Sequence, residues 1–272
     1  MIIWLLGSAV IAQDSVMHRR HVYATIQYTQ EFVMSGYVHV REWELTGDKM
    51  PLRHLGMTSY TALQIRGEIA FSNNSVVKVI YDHYFMRGSA IFDRDIVYNG
   101  TIIDGRSGID VAPTRYFRIT GIYTRTFLDR MDLKLRYVTG LVFDHIVFYL
   151  DGRVSPSSPK DEVYEKFGRQ AFAYPLVGLG GQYKLRHRGI LSFEASGTYI
   201  PKFKSFYTEG GHVYLQYSNF LADAKYTVDV HKVRIGVGGK LRHMKLFQES
   251  HEDTNELSML VAGPYIELRY RF

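Results

Sequence analysis

Residues 257–272 read Leu-Ser-Met-Leu-Val-Ala-Gly-Pro-Tyr-Ile-Glu-Leu-Arg-Tyr-Arg-Phe, and their alternation decides the fold class. Successive side chains of a strand point to opposite faces. Leu260, Ala262, Pro264, Ile266, Leu268, Tyr270 and Phe272 therefore share one face, and Tyr265, Glu267, Arg269 and Arg271 share the other. One face is oily and the other is charged.

The pattern recurs upstream. Leu63, Ile65, Ile69 and Phe71 oppose Gln64, Arg66 and Glu68; Leu191, Phe193, Ala195 and Tyr199 oppose Ser192, Glu194 and Thr198; Val233, Ile235, Val237 and Leu241 oppose Arg234, Lys240 and Arg242. Strands of a soluble sandwich run about 5–6 residues, whereas these run about 11–16, the length that crosses a bilayer at a tilt. Strands are predicted near 34–46, 58–71, 76–88, 114–127, 131–150, 171–186, 189–200, 210–228, 232–247 and 257–272. The links between them alternate in length. Short turns fall at 72–75, 128–130, 187–188 and 229–231, and longer links at 47–57, 89–113, 151–170, 201–209 and 248–256.

Two-faced strands, sorted loops and a terminal Phe272 together resemble a bacterial outer-membrane β-barrel. The expected fold is all-β: a closed antiparallel transmembrane β-barrel of about ten strands, with eight and twelve as alternatives. Physics agrees, because backbone amides in hydrocarbon must all be bonded, and a closed sheet achieves this. A soluble lipocalin-like barrel is a weaker alternative. The resemblance implies that Tyr265, Leu268, Tyr270 and Phe272 form an insertion signal read by the barrel-assembly machinery. It also implies outer-membrane phospholipid and lipopolysaccharide as surroundings. Pro264 removes one ladder bond inside the last strand, so a bulge or kink is expected there.

The chain divides into three parts. Residues 2–12, an apolar run followed by Gln-Asp-Ser, have the core of a secretory signal peptide with cleavage after Ala12, although no Lys or Arg precedes the run. Residues 13–33 form an N-terminal extension with some alternation (Val22, Ala24, Ile26, Tyr28), read as a plug, a tail or an extra strand. Residues 34–272 form the barrel. Among 272 residues there is no cysteine, which excludes disulfides, zinc thiolates, iron–sulfur sites and a cysteine nucleophile.

The inward face carries the functional expectation. Predicted lumen-lining cations are Arg66, Lys78, Arg118, Lys134, Arg136, Lys184, Lys225, Arg234, Lys240, Arg242, Arg269 and Arg271; the facing acids are Glu68, Asp82, Glu194, Asp223 and Glu267. Buried charges must be paired or hydrated. Two readings follow: an ion-pair network that rigidifies the lumen, and a hydrated, basic-lined passive channel for small anions. The first expectation is thus a non-catalytic barrel, structural or channel-like. The alternative is a surface hydrolase, or an enzyme modifying lipid A or phospholipid, acting at the long loops.

Motifs for chemistry are weak. Omptin-type proteases place an Asp-x-His element at the outer rim, but Asp229-Val230-His231 falls in a short turn at the opposite end. Asp82-His83 and Asp144-His145 are adjacent pairs whose side chains diverge across the strand. Asp93 and Asp95 read as a solvated loop, and no Gly-x-Ser-x-Gly element is present. Gly236-Val237-Gly238-Gly239-Lys240 lacks the Ser/Thr and the helix that a phosphate loop needs; Gly178, Gly180, Gly236 and Gly238 instead make room inside for long neighbours. His251 with Glu249, Glu252 and Asp253 has no fixed metal geometry. No cofactor, metal or catalytic residue is predicted, and the basic residues point to lipid head groups instead of nucleic acid. His83 and Arg125 fall on the outward face, where bulges are expected to accommodate them.

Overall fold

The computed structural model describes residues 21–42, 45–148, 150–159, 167–185, 189–204, 213–250 and 253–272. The predicted signal peptide 1–12 lies outside them. Fourteen strands occur in chain order: β1 His21–Glu42, β2 Met50–Pro51, β3 Ser59–Ser72, β4 Ser75–Ala90, β5 Ile96–Tyr98, β6 Thr101–Ile103 and β7 Ile109–Arg130. They continue with β8 Leu133–Phe148, β9 Leu150–Gly152, β10 Phe167–Lys184, β11 Gly189–Lys204, β12 Tyr214–Val230, β13 Val233–Glu249 and β14 Asp253–Arg271. Ten of these, β1, β3, β4, β7, β8 and β10–β14, pair antiparallel in chain order, and β14 closes on β1.

The first barrel strand corrects the predicted boundary. It starts at His21, so residues 21–33 belong to the wall and not to an extension. The reason is a register shift between Val33 and Ser35. Thr25, Gln27, Thr29, Glu31 and Val33 are buried upstream of it, whereas Val38 and Val40 are buried downstream. The alternation changes phase within one strand, as a bulge does. A reading with a single period, anchored at residue 34, stops there.

Pro264 leaves its mark on the closing seam. Thr29↔Tyr265 and Phe32↔Ala262 pair in one register, but Gln30 and Glu31 have no ladder partner opposite Gly263 and Pro264. The register itself continues through the proline, so the expected bulge sits instead at Val33/Ser35. A Cβ added to Gly263 would lie 1.9 Å from the Gln30 carbonyl oxygen, so only glycine permits this approach.

The outside is apolar. Ile26, Phe32, Ile65, Val79, Leu141, Val177, Leu179, Val237 and Leu268 are each at least half exposed or close to it. Near the short-turn rim Phe71, Tyr123, Phe127, Tyr137, Tyr183, Tyr226 and Tyr270 point outward, with the Phe127 and Tyr137 rings stacked at 4.3 Å. Such a belt with an aromatic girdle has hydrocarbon as its solvent. His83 lies on this face, 4.5 Å from the Phe85 ring, and His145 stacks on Phe117. The nearby register shifts are at Met86/Gly88 and Thr126/Leu128, so His83 and Arg125 point outward without a bulge at either position.

The long-loop end is built. The link after β4 contains the β5–β6 hairpin, turned by Asn99 (φ 50°) and Gly100 (φ 69°), the pair a type I′ turn requires. The predicted long link at 248–256 is much shorter, since β13 reaches Glu249 and β14 starts at Asp253. Asp48, between β1 and β3, accepts hydrogen bonds from Arg94 (2.8 and 3.2 Å) and from the Val97 backbone N–H (2.7 Å), strapping two loops together. Burial pushes its carboxyl up, but the Arg94 hydrogen bond, the Val97 amide and the Arg94 charge outweigh it and hold Asp48 below its ordinary value. A depressed carboxylate stabilises above its unfolded pKa, and that contribution fades as pH falls through the folded value. As pH drops from about 5 to about 2, pepsin nicking of the wild-type loops should therefore converge on the rate of Asp48→Asn. Parallel rates at every pH would show that the strap is inert.

Candidate functional site

Along the barrel axis the interior falls into three zones. At the long-loop end Leu52 and Met57, from the link between β1 and β3, meet Met86, Tyr116, Ile146, Phe148, Met244, Leu257 and Met259 from strands around the wall. The space left among them is ≈10 Å³, at most a single water. Leu52, Phe148, Met244 and Met259 are 0–1% exposed, so this zone is an apolar stopper.

Below it lie two buried charge clusters. Cross-strand register places Gln64, Asp82, Arg118 and Asp144 side by side on β3, β4, β7 and β8. Arg118 donates to Asp144 Oδ1 (2.9 Å) and Oδ2 (3.1 Å), and Oδ2 also accepts from Tyr174 (2.5 Å) and Tyr217 (3.0 Å). Gln64 donates to Asp82 at 2.7 Å. In the second cluster Glu31 accepts from Tyr60 (2.5 Å) and Arg242 (3.2 Å), with Lys240 at 3.2 Å. The Arg242 guanidinium also lies 4.2 Å from the Tyr84 ring centroid and donates to Tyr116 at 3.3 Å. Tyr265 points inward and donates to Asp223 at 3.0 Å.

The third zone is a vestibule of ≈450 Å³ at the short-turn end, where both described termini also lie. Its charges reach one another across intervening strands. Arg66 reaches Glu267 (3.1 Å) and Arg269 reaches Glu68 (2.8 Å) across β1, which offers the small Thr25 opposite both arginines and the Tyr23 ring 3.9 Å from the Arg269 guanidinium. Lys225 reaches Glu267 (2.7 Å) across β13 at Gly236 and Gly238, where added Cβ atoms would lie 2.6 Å from Glu267 and the Tyr265 ring respectively. Arg136 crosses Gly180 to Glu194 at 3.2 Å, and Lys78 approaches the same carboxylate at 3.6 Å. At the rim Arg234 pairs with Asp229 (2.6 Å) and Lys134 with Asp129 (2.7 Å).

Of the predicted lining residues, Arg66, Glu68, Lys78, Asp82, Arg118, Arg136, Glu194, Lys225, Arg234, Lys240, Arg242, Glu267 and Arg269 all face the interior. Lys184 and Arg271 share the inward phase but stand exposed at the strand ends. Two buried acids were missing from the expected set: Glu31, in the segment assigned to an extension, and Asp144, read only as the neighbour of His145. The inward alternation of β8 (Val138, Val142, Asp144, Ile146) carries the signal for the second. Asp229-Val230-His231 ends β12 at the vestibule rim, where His231 takes φ 58° in the turn. At the other end Asp95 accepts from Ser155 (2.6 Å), and the Asp93 carbonyl accepts from Arg106 (3.1 Å), so both residues staple loops. His251 lies outside the described residues. Among the described residues no group of His, Asp and Glu has metal-holding geometry.

No protein-family model and no curated protein matches the chain. Among solved structures it is similar to the outer membrane protease OmpT of Escherichia coli, at 10% identity and a TM-score of 0.53 over 93% of this chain and 97% of that one. It is also similar to the transport unit of the autotransporter AIDA-I of Escherichia coli (9%, 0.41, covering 98% and 96%) and to a FadL homologue of Pseudomonas aeruginosa (7%, 0.38, covering 93% and 90%). At these identities the likeness is one of backbone course and not of site. With its closed ten-strand topology and its apolar, girdled exterior, the chain is a β-barrel of the bacterial outer-membrane fold.

Proposed function

We propose that this is a non-catalytic outer-membrane barrel with a structural role, sealed against passage along its axis. The observation that supports this reading is the interior filling: an apolar stopper with ≈10 Å³ free stands above buried charge clusters whose intervening cavity is ≈110 Å³. Ions would have to cross a dry apolar layer, where an isolated charge is costly. The outward Leu268, Tyr270 and Phe272 of the last strand serve insertion by the assembly machinery, and the girdle faces phospholipid and lipopolysaccharide.

Planar-bilayer recording tests this on refolded protein that shifts mobility on an SDS gel after boiling. The wild-type barrel should give no steady conductance steps. Steady anion-selective steps, lost in Arg66→Ala or Arg234→Ala, would replace the sealed barrel with a narrow basic channel.

A further inference from the structure

The sealed lumen still leaves one compartment open to water, and its charges do not balance. Five cations of the inner vestibule (Arg66, Lys78, Arg136, Lys225, Arg269) share three carboxylates (Glu68, Glu194, Glu267). The clusters above come close to balance among themselves, with Arg118, Lys240 and Arg242 against Glu31, Asp82, Asp144 and Asp223. We infer that the vestibule is a blind binding site for a small multivalent phosphoryl anion entering from the short-turn end.

Four observations lead there. The apolar stopper, with ≈10 Å³ free, closes the inner end, so the site holds its ligand and does not pass it. Arg136 and Arg269 each meet their carboxylate through Nη2 (3.2 Å to Glu194 and 2.8 Å to Glu68), and both side chains keep 16–18% exposure. Their guanidinium forks therefore have donors to spare, in the planar geometry that suits phosphoryl oxygens. The Ser192 hydroxyl lines the same space, as do Thr124 and Thr227, whose own protons go to the Val76 and Ile190 carbonyls and leave their oxygens as neutral lining. The volume of ≈450 Å³ lies within the range of about 300–1,000 Å³ typical of small-ligand pockets. The blind end rests on the sealed lumen proposed above, whereas anion binding at the vestibule cations does not, so the bilayer recording and the binding test fail separately.

Calorimetric titration of the refolded barrel in an uncharged detergent, with pyrophosphate as probe, tests it. Saturable binding is expected, weaker at high salt because the attraction is screened. Arg136→Gln and Arg269→Gln should each weaken it about tenfold, the loss of a charge-assisted bond. Arg87→Gln, at the far end of β4, should leave it unchanged. Should Arg136→Gln fold poorly, Lys134→Gln at the rim carries the test, with about a threefold loss. Glycerol 3-phosphate set against dihexanoyl phosphatidate separates a soluble phosphoester from a lipid head group: equal affinity favours the first, tighter phosphatidate the second. No pyrophosphate binding to folded wild-type protein, or binding that Arg136→Gln and Arg269→Gln leave intact, would overturn the assignment.

Discussion

Asp144→Ala should destabilise the folded barrel by about 3–5 kcal/mol, the cost of stripping one partner from a buried ion pair. Asp144 is 0% exposed, and its oxygens accept from Arg118, Tyr174 and Tyr217. Truncation removes the ion-pair partner of a guanidinium that is itself about 6% exposed and keeps the Tyr116 hydroxyl as an acceptor. It also removes the carboxylate that the Tyr174 and Tyr217 phenols share, leaving them the weaker hydrogen bond to each other at 3.0 Å. Replacing the pair together, as Arg118→Met with Asp144→Leu, removes both charges and fills the space with apolar atoms, so most of the loss should disappear. Urea unfolding in lipid vesicles, followed by far-ultraviolet circular dichroism and by heat-modifiable mobility, measures both. A single variant within about 0.5 kcal/mol of wild type would mean that water reaches Asp144 and that the lumen is wetter than its geometry indicates.

The architecture was legible because a transmembrane strand writes its two environments into alternate residues. Residues 257–272 show this most clearly, and their inward Glu267 and Arg269 and outward Ile266 and Leu268 lie as the alternation requires. Strand β1 was half lost for two physical reasons. Its inner face carries the uncharged Thr25, Gln27 and Thr29 before Glu31, and the shift at Val33/Ser35 inverts its phase. The stopper was illegible for a different reason. Leu52, Leu55 and Met57 lie in a loop with no period, and what buries them is the far side of the barrel, which no local pattern encodes. The same holds for pairing inside the lumen. Alternation identifies Arg242 as inward, but that its partner is Glu31, 211 residues away, follows only from closure of β14 on β1. Without Glu31 and Asp144 the inward face looked far more basic than it is, which made an open anion channel more attractive than the filled interior supports.

Glu31→Ala should cost as much as Asp144→Ala or more, about 5 kcal/mol, because one carboxylate serves two buried cations. Its Oε1 lies 3.2 Å from Lys240 and its Oε2 3.2 Å from Arg242, with side-chain exposures of 8% and 2% for the two cations. Tyr60 adds a 2.5 Å bond to the same carboxylate. Position matters as much as charge here. Glu31 sits where β1 and β14 lose two rungs opposite Gly263 and Pro264. At that point of the closing seam, the contacts from Glu31 to Lys240 and Arg242 of β13 reach across β14 and substitute for missing backbone bonds. Lys240→Met should therefore cost much less, since Glu31 keeps Arg242 and Tyr60. Glu31→Gln should fall between the two, retaining one acceptor but turning its amide donors toward a cation. The ordering Glu31→Ala, then Glu31→Gln, then Lys240→Met is the quantity to measure, by urea midpoint on protein refolded in parallel. If all three unfold together with wild type, Glu31 is not what holds the seam, and the backbone ladder on either side of Pro264 must be closing the barrel unaided.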